Sequence, residues 1–87
     1  MSEVEKAESI IADLERRRVQ LIAAGNVLTT ERDDVAFAAF TAEGGAHRDR
    51  LDKLNAALIS RSYELNSINA ALRTARNKLT AVRQAEM

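Results

Sequence analysis

Cysteine, proline and tryptophan are absent from this 87-residue chain, glycine occurs three times, and the aromatics are confined to Phe37, Phe40 and Tyr63. Without cysteine there is no disulfide framework, no thiol nucleophile and no thiolate metal site, which fits a reducing compartment. Without proline the chain lacks the residue that most strongly breaks a helix. Neither sign of charge prevails: Lys plus Arg and Asp plus Glu each number 13, so the overall balance gives no reason to expect a polyanionic partner. The longest apolar run, Val35 to Phe40, is six residues long, against the roughly 20 needed to span a bilayer. Met1-Ser2-Glu3-Val4-Glu5-Lys6 is acidic and has no apolar stretch of the signal-peptide kind. The expectation is a cytoplasmic protein with no membrane association.

What is present is Ala, Leu, Ile and Val among Glu, Arg and Lys, a composition that favours long helices because most of these side chains lose little freedom in one. Heptad spacing organises the second half. Leu51, Leu58, Leu65, Leu72 and Leu79 form one series, and Leu54, Arg61, Ile68, Ala75 and Val82 lie three residues later, so nine of ten positions are apolar. The first half carries a weaker ladder. Ala7, Leu14, Leu21, Leu28, Val35 and Ala42 form a wholly apolar series; Val4, Ile11, Arg18, Gly25, Arg32 and Ala39 form an interrupted one. Ile10, Val19 and Ile22 widen this face.

Gly44-Gly45, within Glu43-Gly44-Gly45-Ala46, is the strongest breaker and separates the ladders. The pattern predicts an all-α, single-domain protein over residues 1–87: an antiparallel helical hairpin with helices over 2–42 and 46–85. Charge agrees with this pairing. Glu3, Glu5, Glu8, Asp13 and Glu15 crowd the start and Arg73, Arg76, Lys78 and Arg83 the end, so folding at the glycines sets acid beside base. A three-helix alternative (2–24, 30–42 and 46–85) breaks the first leg at Gly25-Asn26, with Thr30 and Asp33 as a capping pair. Against it, Leu21, Leu28 and Val35 hold their phase across Gly25.

A lone two-helix hairpin buries little and has no disulfide or evident metal to staple it, so a partner is expected. Val35–Phe40 is apolar on every side of its helix, and such a segment calls for cover on every side. Ala57 and Ala71 would allow close approach to the second helix. The expected assembly is a homodimer forming a four-helix bundle, with Ile22, Phe37 and Phe40 at its interface and Leu14, Leu21, Leu28, Leu51, Leu58, Leu65, Leu72 and Leu79 in the hairpin seam. The seam arginines Arg18, Arg32 and Arg61 are expected to lay their stems along the core and extend their heads outward; the second reading is that they set register, as polar core residues do in coiled coils. Mirror placement about the glycine pair sets Arg61 near Leu28, within reach of Glu31.

No catalytic, metal or cofactor constellation emerges. His47, the only histidine, sits beside the glycines, which break the helix that would align it with Glu43 four residues earlier. Glu31, Asp33 and Asp34 surround Arg32 and read as capping and solvation rather than as a cation cage. Ser9, Ser60, Ser62 and Ser67 have no base at helical spacing. Ile59 and Tyr63, outside the seam, are a candidate patch for a protein partner. Arg16-Arg17-Arg18 is the only cationic run; it fans around its helix and has no aromatic beside it to stack on a base.

The stretch Glu31-Arg32-Asp33-Asp34-Val35-Ala36-Phe37-Ala38-Ala39, the glycine turn and Leu51-Asp52-Lys53-Leu54-Asn55 resemble small coiled-coil hairpin proteins of proteobacteria and their prophages, over about a third of the chain. That resemblance implies a bacterial or phage origin and carries no activity with it. Secreted hairpins that turn on a Trp-x-Gly motif, and secretion-needle subunits that turn on a proline loop, are similar only in outline. The function expected is a non-enzymatic adaptor or accessory subunit acting through helix–helix contacts. The alternative is a dimeric regulator that contacts nucleic acid through Arg16–Arg18.

Overall fold

The computed structural model describes residues 2–41 and 45–86, which form two helices: α1, Glu3–Thr41, and α2, Gly45–Ala85. They pack antiparallel as a ribbon of 67 × 15 × 14 Å. The expected hairpin is therefore present, with bounds within one residue of those read from the heptads. Of the glycine turn, Gly45 is the first residue of α2; Ala42, Glu43 and Gly44 lie outside the described residues.

Helix α1 opens on a cap. The Ser2 hydroxyl accepts the Glu5 backbone N–H at 3.1 Å, so one of the unpaired donors of the first turn is satisfied. Glu3 and Glu5 in that turn suit the positive end of the helix dipole. The helix then runs unbroken through Gly25-Asn26, which overturns the three-helix alternative. Thr29 and Thr30 do not start a new helix: their hydroxyls donate back to the Gly25 and Asn26 carbonyls at 2.9 and 3.1 Å, a mid-helix arrangement. The Thr30–Asp33 capping role falls with it. The apolar series held in phase across Gly25 outweighs one unfavourable residue.

Five side-chain bonds cross between the helices: Arg18 to Asn69, Arg32 to Asn55, Arg50 to Glu31, Arg76 to Glu15 and Arg83 to Glu8. The residue numbers of these pairs add to between 81 and 91. The heptad series aligned to that spread are those whose numbers add to 86, a register that sets Leu14 opposite Leu72, Leu21 opposite Leu65, Leu28 opposite Leu58 and Val35 opposite Leu51. Every seam position named from the heptads is buried or half-buried, apart from Arg18, which is exposed, and Ala42, which lies outside the described residues. The deepest are Ala39, Leu54 and Leu72, and Leu72 retains only 2% exposure. This core is one side chain thick. A residue on a two-helix ribbon is covered from one direction only, so most seam side chains keep part of their surface in water.

Candidate interaction surfaces

The register corrects the placement of Arg61. Mirror symmetry about the glycine pair sets it near Leu28 and Glu31, but the helices pair about a point nearer the start of the chain, because Gly45 already belongs to α2. Glu31 is bonded by Arg50 instead. Arg61 shares its layer with Gly25 and lines a cleft of about 340 Å³ with Arg17, Gln20, Leu21, Glu64 and Ile68. A Cβ built on Gly25 would meet nothing within 4 Å, so the layer holds open space where the heptad calls for a side chain.

The other two seam arginines are tied across the ribbon. Arg18 Nε donates to Asn69 Oδ1 at 2.8 Å, and Arg32 Nη1 to Asn55 Oδ1 at 3.3 Å. Arg32 also pairs with Asp33 at 2.8 Å. The two Arg–Asn pairs stand 14 residues apart on each helix and bridge it in the same sense, consistent with polar seam residues that fix register. The acidic start and basic end meet as expected, with Glu8–Arg83 at 3.4 Å and Glu15–Arg76 at 3.2 Å. These pairs lie on one edge of the ribbon and are more than half exposed, so each adds only tenths of a kcal/mol. Their larger effect is on helix direction.

The arginine run separates. Arg16 pairs with Asp13 at 3.1 Å on the outer side of α1, Arg18 is held by Asn69, and Arg17 lies in the cleft with Glu64. His47 is exposed in the first turn of α2, and no group of three or more potential metal ligands occurs among the described residues. Neither described helix is long and apolar enough to cross a membrane.

What stands out is uncovered apolar surface. Phe37 is 73% exposed and Phe40 79%, although Val35, Ala36 and Ala38 beside them are half-buried and Ala39 is buried. α2 covers one side of this segment and leaves the phenylalanines outside. Val19, Ile59 and Tyr63 are likewise exposed, while Ile22, at the edge of the seam, is half-buried. Ile22 lies far along α1 from the phenylalanine pair, so a single hairpin does not unite the three expected interface residues into one patch. Ile10, beside the seam, is exposed in an open groove of about 670 Å³ near the chain termini, with Ala7, Leu14, Ala71 and Val82.

No protein-family model, no curated protein and no solved structure matches this chain.

Proposed function

We propose that this hairpin is a non-enzymatic interaction module: a small coiled-coil adaptor or accessory subunit of the cytoplasm that works through helix–helix contacts and pairs with a second copy of itself into a four-helix bundle. One observation carries the reading, the exposure of Phe37 and Phe40 in a segment apolar on all sides. Two phenylalanines side by side on a helix present far more apolar area than scattered surface residues do, and such surface marks contact sites. The thin core points the same way, since a second hairpin would cover seam residues that one partner helix leaves half in water. Affinity would come from these apolar side chains and register from the charges around them.

Light scattering over a concentration series on wild type and on Phe37→Asp/Phe40→Asp tests this. The expected result is a wild-type dimer and a folded, helical monomer for the variant. Phe37→Ala/Phe40→Ala, which adds no charge, is expected to weaken the dimer while keeping the helix content. A wild type that stays monomeric at every concentration refutes self-association.

The nucleic-acid reading finds less support, because Arg16 and Arg18 already have partners within the hairpin and Arg17 sits beside Glu64. Binding to duplex or single-stranded DNA that collapses steeply with added salt would favour it instead.

A further inference from the structure

Of the large exposed apolar residues of α1, which are Ile10, Val19, Val27, Phe37 and Phe40, three stand in a simple geometric relation with the half-buried Ile22. Val19 and Ile22 make one cluster, Phe37 and Phe40 the other. Val19 to Phe37 and Ile22 to Phe40 are each 18 residues, which is five turns of an α-helix and about 27 Å. The clusters therefore face the same way. Between them, at steps of three and four residues, the stripe continues through the exposed polar residues Asn26, Thr30 and Asp33. It is a second seam, apolar at both ends and polar in the middle, and all of it but Ile22 is left exposed by α2.

Resting on the self-association proposed above, we infer how the two copies meet: α1 lies antiparallel against α1 of the second copy, about a two-fold axis near Thr29-Thr30. Such a stripe is complementary to its own reverse. In this arrangement Phe40 falls on Val19 of the second copy and Phe37 on its Ile22, and both contacts occur twice. Asn26 comes beside Asp33 of the second copy, so an amide donor meets a carboxylate in the polar centre. A parallel pairing would instead stack Asp33 on Asp33 and leave the bulky and slender clusters each facing its own kind. This also explains how Ile22 belongs with phenylalanines it cannot reach in its own hairpin. The overlap, residues 18–41 of each α1 or about 36 Å of helix on a ribbon 15 Å wide, amounts to roughly 500 Å² per copy, the size of a weak, concentration-dependent pairing.

The chain has no cysteine of its own, so introduced thiols report geometry cleanly. Val19→Cys and Phe40→Cys are made as separate variants, and each is mixed with itself or with the other under mild oxidation. Disulfides form only where Cα atoms come within about 7 Å, whereas like positions in the antiparallel pair stand about 32 Å apart, the rise of the 21 residues between 19 and 40. The expected result, at protein concentrations high enough for both variants to remain dimeric under reductant, is a cross-linked dimer from the mixture and almost none from either variant alone. Val19→Asp is expected to weaken dimerisation about 100-fold, because it sets a charge against Phe40 of the second copy in both of the Val19–Phe40 contacts. Cross-linking of each variant with itself would mean parallel pairing and overturn the geometry. A wild-type dimer with no cross-link in any mixture would place the second copy on another face, overturning this arrangement while leaving self-association standing. A monomeric wild type overturns both.

Discussion

Gly25 shows what one residue contributes to a helix of 39. It sits at a seam position, its backbone is helical, and space lies open where its Cβ would be. Glycine there costs helix stability through the freedom it has in the unfolded chain and offers no side chain to the layer it shares with Arg61. Gly25→Ala is therefore expected to stabilise the protein by about 0.5–1 kcal/mol, seen as a higher urea midpoint with unchanged slope; a loss of stability would mean that the space is needed for a bend. Leu72 is the opposite case. It is the most deeply buried of the described residues. Leu72→Ala should cost about 2–5 kcal/mol, and more than Leu79→Ala near the fraying end, with both read from denaturant unfolding.

Each helix alone is a sequence of good helix formers with a narrow apolar stripe, and neither would be stable by itself in water. Pairing supplies the stability, while polar contacts decide which pairing occurs. The acidic first turns of α1 bond the basic last turns of α2 on one edge of the ribbon, and the two Arg–Asn bridges set the register farther in. Reversing one side of the charge pattern with Glu8→Arg/Glu15→Arg is expected to lower stability by about 1 kcal/mol at low salt, as like charges then face each other. Adding Arg76→Glu/Arg83→Glu should restore most of the loss, and both effects should shrink in 1 M salt as screening shortens. A four-site variant no more stable than the two-site one would mean that these pairs do not form.

At the scale of the whole molecule, shape governs the outcome. A ribbon 67 Å long and 15 Å wide has a large surface for its volume, and its interior is a single row of layers. Side chains beside that row are half-covered at best; those one step farther round, such as Phe37 and Phe40, are mostly uncovered. The proposed second hairpin would cover them without adding any residue to the chain. Stability should therefore rise with protein concentration, so that the melting temperature climbs between micromolar and millimolar solutions. A melting temperature independent of concentration would count against the dimer.

Heptad periodicity in a chain without proline determined two amphipathic helices, the glycine pair made them a hairpin, and the short turn with the acidic start and basic end set the antiparallel direction. The unbroken path of α1 through Gly25 was also legible, in the phase kept by Leu21, Leu28 and Val35. The register was not. A glycine pair marks where a chain can turn, but the choice of first helical residue after it depends on how the facing side chains interdigitate, and a shift of one residue at the turn moves every layer. Only the packed helices placed Arg61 opposite Gly25 and gave Glu31 to Arg50. The same limit applies to the surface: Phe37 and Phe40 were conspicuous by composition, whereas the exposure of Val19 and the two-cluster stripe depend on the angle at which α2 lies across α1, which no property of either helix by itself sets.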